Sequence, residues 1–160
     1  MSKLLIVGTV AFDAIETPFG KTDKILGGSA PYIGLSASQF NVNSAIVSVV
    51  GGDFPEKHLD LLRHHNIDIS AVEIIPSGKT FFWSGRYHND MITRDTLSTE
   101  LNVLSDFQPV VPTNFKDANV IVLGNLHPLV QFRIITTYTA LGNGAYLARQ
   151  YLMLRRSMNV

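Results

Sequence analysis

The sequence predicts an α/β domain with a parallel β-sheet. Three short apolar runs, at residues 4–7, 45–50 and 119–123, have the composition of strands that are buried on both faces. Segments with helical spacing alternate with the strands, and this alternation is typical of parallel sheets with right-handed crossovers. Because such folds bind ligands at the carboxyl ends of their strands, we expect the functional residues there.

The amino-acid composition indicates which classes of protein this chain can belong to. The 160 residues are 46% hydrophobic and carry 13 basic and 13 acidic side chains, which suits one globular domain with a sizeable core. The sequence contains no cysteine, which excludes disulfides, thiolate catalysis and thiolate metal sites. The balanced charge does not favour nucleic acid, and no apolar run approaches the roughly 20 residues that cross a bilayer. We expect a cytoplasmic protein whose partners are small molecules or its own copies.

A glycine pair, Gly27 and Gly28, opens a helix that is predicted over residues 29–40, and Asp13 follows the first strand. Strand one is expected to deliver Asp13 to the carboxyl edge of the sheet. Glycines let a backbone approach a ligand closely, the helix N-terminus offers free N–H donors, and a carboxylate accepts hydrogen bonds from hydroxyl groups. These residues predict the floor of a site for a polyhydroxylated ligand. A tight turn before a helix is the alternative.

Each predicted helix has one apolar face. In the first helix, the inward residues are mostly small, so the helix should pack closely on the sheet. They are Ala30, Ile33, Ala37 and Phe40. The second helix is predicted over residues 55–65, with Leu59 and Leu62 inward and Asn66 as its stop. Asp53, with a glutamate three residues later, has the form of a capping box at its start.

Residues 72–103 change to β-branched and aromatic residues with turn breaks, which predicts antiparallel strands joined by hairpins. Phe82 and Trp83 would expose an apolar patch unless something covers it. We expect this β insertion to cap a ligand site or a partner subunit, or alternatively to pack its aromatic side chains on the core. Asn125, at the carboxyl end of the strand at 119–123, is a second candidate site residue or a loop residue that satisfies its own backbone.

Five features follow one another along the chain. They are Gly8 and Asp13 after the first strand, the helix start at residues 27–30, the segment 48–54, the segment 64–70, and the β insertion after Lys79 and Thr80. Their order resembles the N-terminal half of the ribokinase-like (PfkB family) carbohydrate kinases. The resemblance covers about residues 3–131, and the order of the features is more specific than any single motif.

The resemblance implies a three-layer αβα (Rossmann-like) domain, incomplete, with a small β-sheet lid. It also implies a kinase that transfers the terminal phosphoryl group of ATP to a sugar or nucleoside hydroxyl with the help of Mg²⁺. In the family, the residues that match Asp13, Gly27 and Gly28 hold substrate hydroxyls, and lid closure excludes water. The lid residues that would contact the substrate, or a second copy in a homodimer, are Phe82, Trp83 and Arg86.

The sequence departs from the family at two places. Tyr32 stands where many members have an asparagine that contacts a substrate hydroxyl, which leaves the substrate open. The family's Asp-Thr-x-Gly-Ala-Gly-Asp segment, which supplies the catalytic base and the anion hole, does not occur, and neither does another phosphate loop. No metal motif is present. We expect a truncated chain that is inactive alone and lacks a nucleotide site. A non-catalytic sugar-binding or dimerisation module is the alternative.

The last segment, residues 132–160, differs from the rest of the chain. From Arg133 onward there are four arginines and no acidic residue. The resemblance fades near Gln131, which suggests a foreign or frame-shifted tail. The rival hypothesis is a basic amphipathic helix at 145–156 that docks on a partner or a membrane surface. A sheet that ended with the strand at Val120 would expose an open edge.

Overall fold

The computed structural model describes residues 2–140 and 146–149. Within them the chain forms ten β-strands and three α-helices. The strands are β1 (Lys3–Val7), β2 (Ala11–Thr17), β3 (Gly20–Lys21), β4 (Ile25–Gly27), β5 (Asn43–Gly51), β6 (Ile67–Ile75), β7 (Phe82–Tyr87), β8 (Arg94–Glu100), β9 (Val120–Leu123) and β10 (Tyr146–Arg149). The helices are α1 (Ser29–Ser38), α2 (Glu56–His64) and α3 (Pro128–Ala140).

A parallel main sheet forms the centre of the fold, with the strand order β10-β9-β1-β5-β6. All of its pairings are parallel. The three apolar runs of the sequence form the inner strands β9, β1 and β5. Leu5, Ile46 and Ile121 are fully buried there. The predicted α/β class with a parallel sheet is therefore confirmed.

Helices cover both faces of the main sheet, which gives three layers. On one face, Ile6 of β1 shares a buried cluster with Leu62 of α2 and Ala30 of α1. On the other face, Leu5 shares a second cluster with Ile134 of α3. Neighbouring residues of β1 thus point to opposite layers, as alternation along a strand requires.

The predicted close packing of α1 is confirmed at Gly34. A Cβ at this position would lie 3.0 Å from Cδ1 of Ile67 and 3.3 Å from Cδ1 of Ile46. The predicted apolar face of α1 was wrong at Phe40, whose side chain is 79% exposed. The helix ends at Ser38, and Phe40 lies in the turn that follows, in which Asn41 has a φ of 53°, so its side chain does not continue the apolar face of the helix.

A second sheet, the lid, has the strand order β3-β2-β7-β8, with β4 paired to β2. Strands β7 and β8 form the predicted antiparallel hairpin. The assignment of residues 72–75 to this insertion was wrong, because they belong to β6 and pair in parallel with β5 of the main sheet. Val72 is buried there in the core.

The chain leaves the main sheet after β1, which corrects the predicted position of Asp13. Asp13 lies within β2, a lid strand, rather than at the end of β1. The strand β2 was not predicted from the sequence, although a turn at Pro18 and Phe19 follows it. The lid therefore contains residues from two separate parts of the chain.

Helix α2 buries Leu59 and Leu62, as predicted. Asn66, two residues beyond its end, has a φ of 56°, which suits the predicted stop. The capping box was wrong. Pro55 occupies the N-cap without a side-chain hydrogen bond, because the carboxylate of Asp53 instead accepts hydrogen bonds from Thr80.

The predicted open edge beside Val120 was also wrong. β10 pairs with β9 in parallel, with Tyr146 opposite Val120. Residues 146–149 are thus a strand and cannot belong to the alternative amphipathic helix. The rest of that predicted helix, residues 145 and 150–156, lies outside the described residues, as do 141–144 and 157–160 of the tail. None of the helices in the described part of the chain is long and apolar enough to span a bilayer.

Candidate functional site

The candidate site lies at the carboxyl ends of the main-sheet strands, where the lid joins the sheet. β1 lies between β9 and β5, so the connections that follow β1 and β9 leave from neighbouring strands at this edge. After β1 the chain passes through the lid strands β2 to β4 and returns to the edge at the start of α1. In open α/β sheets this kind of edge holds the ligand.

Asp13 lies directly against the glycine turn. Asp13 of β2 is paired with Ile25 of β4, and Ala11 with Gly27. A Cβ at Gly27 would lie 2.3 Å from Cγ of Asp13, so only glycine leaves space for the carboxylate. Burial raises the pKa of the Asp13 carboxyl group, and a hydrogen bond from the backbone N–H of Gly28 opposes this shift. The structure thus brings together the three residues of the predicted ligand floor.

Gly28 is required by its conformation as well as by space. Its φ is 89°, which L side chains rarely adopt, and a Cβ there would lie 2.3 Å from the carbonyl oxygen of Thr9. Thr9 also caps the helix that follows, since Ser29 N–H donates to Thr9 Oγ1 at 3.2 Å and Ala30 N–H donates to Thr9 O at 3.0 Å. The expectation of free N–H donors at the start of α1 was therefore wrong for these two amides.

Asn125 is joined to the same turn by two hydroxyl groups. Its Oδ1 accepts hydrogen bonds from Thr9 Oγ1 and Ser29 Oγ, both at 2.7 Å. Gly8 and Gly124 make room for Ser29, because a Cβ on either would lie 2.6 or 2.1 Å from its Oγ. The side-chain oxygen of Asn125 is thus already used as an acceptor for Thr9 and Ser29. The side-chain amide nitrogen is the group that Asn125 can use to donate a hydrogen bond to a ligand.

Thr9 was not predicted from the sequence. It is fully buried and connects the start of α1, through Ser29 and Ala30, with Asn125. The only local signal is its position directly after Gly8, at the end of the first strand. Its role depends on partners 20 and 116 residues away in the sequence, and local patterns do not report such contacts.

The three lid candidates have different surroundings. Trp83 is in register with Asp13, so the two side chains leave the lid sheet on the same face. Phe82 lies on the opposite face and packs against the core cluster of α1 and α2, which is the alternative that the sequence left open. Arg86 is farther along β7, where it forms an ion pair with Glu16 at 2.9 Å.

Tyr32 lies beside the glycine turn. Its hydroxyl group donates a hydrogen bond of 2.9 Å to the carbonyl oxygen of Leu26, and its side chain is 55% exposed. The side chain therefore spans the turn from α1 back to β4. An aromatic surface, rather than an amide, is what this position presents to solvent.

The described residues contain no cluster of metal-ligating side chains. Across residues 2–140 and 146–149, no group of three or more His, Asp or Glu side chains could hold a metal ion. The carboxylate of the candidate site, Asp13, is already in contact with Gly28 N–H.

Comparisons with known proteins agree with this architecture. No protein-family model matches the chain. Over 136 residues the chain is 29% identical to the cytidine kinase of Thermococcus kodakarensis, a match that includes 84% of this chain and 48% of that kinase. The chain therefore spans about half the length of this curated relative.

Solved structures match the chain more completely. An E. coli protein described as a ribokinase II, in its apo form, superposes with a TM-score of 0.75 at 18% identity, over 92% of this chain and 53% of that one. The nucleoside kinase of Methanocaldococcus jannaschii, a member of the ribokinase family, gives 0.74 at 20% identity, over 93% and 52%.

Other matched structures contain ligands. The E. coli protein described as a ribokinase II, in complex with ATP and Mg²⁺, gives a TM-score of 0.72 at 16% identity, over 92% of this chain and 52% of that one. The Burkholderia thailandensis nucleoside kinase in complex with inosine gives 0.69 at 13% identity, over 90% and 51%. Similarity of shape at these identities establishes the fold. The chain has the fold of the N-terminal half of a ribokinase-like (PfkB family) kinase.

Proposed function

We propose that this chain is the acceptor-binding part of a carbohydrate kinase, and that it binds the hydroxyl groups of a sugar or nucleoside at Asp13, Gly27 and Gly28. The observation that supports this most is the half-buried carboxylate of Asp13 against a turn that has no side chains. Its burial disfavours the charged form. Hydrogen bonds from ligand hydroxyls would offset that cost.

The reaction in which such a site takes part is transfer of the terminal phosphoryl group of ATP to the bound hydroxyl. The name of the Thermococcus relative and the ATP–Mg²⁺ complex of the E. coli protein support this activity. The residues of this chain would bind and orient the acceptor, and the lid would keep water from the transferred group. Asn125 would add a hydrogen-bond donor from the opposite side of the turn.

We assign residues 1–131 to the kinase domain, with the hairpin of the lid inside 72–104. We treat 132–160 as an atypical basic segment whose first part, in α3, packs on that domain through Ile134. The lid is also the surface that we propose for contact with a second copy of the chain. Strand β8 is at the end of the lid sheet and none of its residues is buried. An exposed edge strand of this kind is available for pairing with another chain.

The proposal is tested by isothermal calorimetry with cytidine, inosine and ribose as probes. We expect Asp13→Asn to weaken the binding of the preferred probe about tenfold or more, because a charged acceptor of hydroxyl hydrogen bonds is lost. Asp23→Asn is the matched control, since Asp23 is an exposed aspartate of the loop that precedes β4. Equal affinities of the wild type and Asp13→Asn would contradict the proposed site.

Titration with ATP tests whether the chain carries only the acceptor side of the site. We expect the 160-residue chain to bind the acceptor without ATP and to show no phosphoryl transfer by itself. Binding of ATP together with turnover of cytidine would show a complete kinase and would overturn our placement of only the acceptor side on this chain.

A further inference from the structure

The carboxyl end of β5 is bonded to the segment that leads into the lid. Gly51 N–H donates to Thr80 Oγ1 at 3.0 Å. Thr80 in turn donates to Oδ1 of Asp53 from both its backbone N–H, at 2.8 Å, and its hydroxyl group, at 2.7 Å. Thr80 is 1% exposed although it is polar. Thr80, two residues before the lid strand β7, is therefore joined to Gly51 and Asp53, at and just beyond the end of β5, by three hydrogen bonds.

Two glycines allow the backbones to meet at this point. A Cβ on Gly51 would lie 2.5 Å from the carbonyl oxygen of Gly78 and 2.6 Å from the nitrogen of Thr80. A Cβ on Gly52 would lie 2.3 Å from the carbonyl oxygen of Pro76. Because these contacts are with backbone atoms, which cannot rotate away, any larger residue would separate the lid segment from β5.

The segment that leaves the lid is fastened to the same place. The side-chain amide of Asn102 donates to the carbonyl oxygen of Thr80 at 2.9 Å, and Val103 N–H donates to Lys79 O at 3.1 Å. Both ends of the β7–β8 hairpin are therefore held at Lys79 and Thr80.

Phe81, the residue after Thr80, links this point to the candidate site. Phe12 N–H donates to the carbonyl oxygen of Phe81 at 2.9 Å, which begins the parallel pairing of β2 with β7. Asp13 follows Phe12 directly. A continuous path of hydrogen bonds and adjacent residues thus runs from Asp53 through Thr80 and Phe81 to Asp13.

We infer that Asp53 and Thr80 are positioning residues that set the place of the Asp13 carboxylate against the glycine turn. Neither side chain belongs to the ligand floor. They act through Phe81, which precedes β7. A shift of Thr80 moves Phe81, and the hydrogen bond from Phe12 N–H to Phe81 O passes this shift to β2. This inference rests on the proposed function for its effect on ligand binding, but its effect on the protein alone is measurable without a ligand.

Thr80→Val tests the inference, since valine has nearly the same shape and lacks the hydroxyl group, and Thr80→Ser restores it. The chain offers a matched control. At the far end of the lid, Asp90 accepts hydrogen bonds from Thr93 N–H, at 2.8 Å, and from Thr93 Oγ1, at 2.5 Å. Thr93→Val removes the same kind of contact away from the path to Asp13.

The first measurement is amide hydrogen exchange at Phe12 and Gly28, whose N–H groups bond to Phe81 and Asp13. We expect Thr80→Val to speed exchange at both amides about tenfold, Thr80→Ser to restore wild-type rates, and Thr93→Val to leave them unchanged. Wild-type rates at Gly28 in Thr80→Val would overturn the inference. If Thr80→Val does not fold, Asp53→Asn keeps an acceptor oxygen without the charge and should show a smaller change of the same sign.

The second measurement is the dissociation constant of cytidine by calorimetry. We expect Thr80→Val to bind about tenfold more weakly, since loss of a buried hydrogen bond to a charged group displaces the carboxylate, with recovery in Thr80→Ser. Undiminished binding in Thr80→Val would overturn the inference. If the wild type binds none of the probes, the proposed function fails, and the exchange rates still decide whether Asp53 and Thr80 position Asp13.

Discussion

Asp13 is in an environment that is unfavourable for a free carboxylate and suited to a bound one. Burial raises its pKa, and the single backbone N–H of Gly28 compensates only in part. Its neighbour Gly27 leaves the second side of the carboxylate without a side chain. A carboxylate that served only to stabilise the fold would be paired with further hydrogen-bond donors of the protein. The environment of Asp13 therefore indicates that some folding stability is given up for ligand binding.

We predict that Asp13→Asn raises the melting temperature at pH 7. A carboxyl group with a raised pKa binds protons more readily in the folded state, so its ionisation destabilises the fold above that pKa and has no such effect below the unfolded value of about 4. The gain from Asp13→Asn should therefore shrink as the pH falls towards 4.

Thermal melts of the wild type and Asp13→Asn between pH 4 and pH 8 measure this difference. Asp23→Asn again serves as the control, with no pH-dependent gain. A gain that is the same at every pH, or a lower melting temperature of Asp13→Asn at pH 7, would show that burial of the charge does not strain the fold.

At the scale of single elements, local sequence patterns predicted the buried faces of the helices better than the residues at which the helices begin and end. The spacing of Leu59 and Leu62 was sufficient to identify the buried face of α2, because that spacing is set within the helix. The cap of α2 was not predictable, because the partner of Asp53 is Thr80, 27 residues later. Residues 72–75 of β6 were assigned to the wrong sheet because β-branched residues occur in parallel and antiparallel strands alike.

We predict that Asn66→Ala lowers the free energy of unfolding by about 1 kcal/mol, because alanine lacks the short polar side chain with which asparagine tolerates the positive φ of 56° that ends α2. Asn66→Gly should match or slightly exceed the wild type. Asn89→Ala, at an exposed turn, is the control. Chemical denaturation of the three variants gives the comparison, and an Asn66→Ala protein as stable as Asn66→Gly would contradict the role of this backbone conformation.

At the scale of the whole molecule, the sequence was informative about the main sheet and partly about the site. Apolar runs identified β1, β5 and β9 because strands buried on both faces are continuous in hydrophobicity. Asp13, Gly27 and Gly28 were found together, whereas β2, Thr9 and the bonds of Thr80 were not. These depend on contacts between distant parts of the chain, such as the parallel pairing of β2 with β7, which has no local pattern.

The two sheets should differ in how readily they open. In β5, eight of nine residues are buried, whereas none of the residues of β8 is. We predict that amide exchange is slowest in β1 and β5, and that β8 opens with a free energy well below that of global unfolding. Residue-resolved exchange at neutral pH measures this. Equal protection of β5 and β8 would mean that lid and sheet open as one unit.

Trp83 gives the lid a built-in optical reporter. It is the single tryptophan of the sequence, it is paired in register with Asp13, and the Arg94 guanidinium lies 5.7 Å from the centre of its ring. The fluorescence emission of an indole ring responds to nearby charges and to the exposure of the ring to water. Binding of a sugar beside Asp13 should therefore change the emission wavelength or intensity of this single tryptophan, so that binding can be followed in real time without a dye.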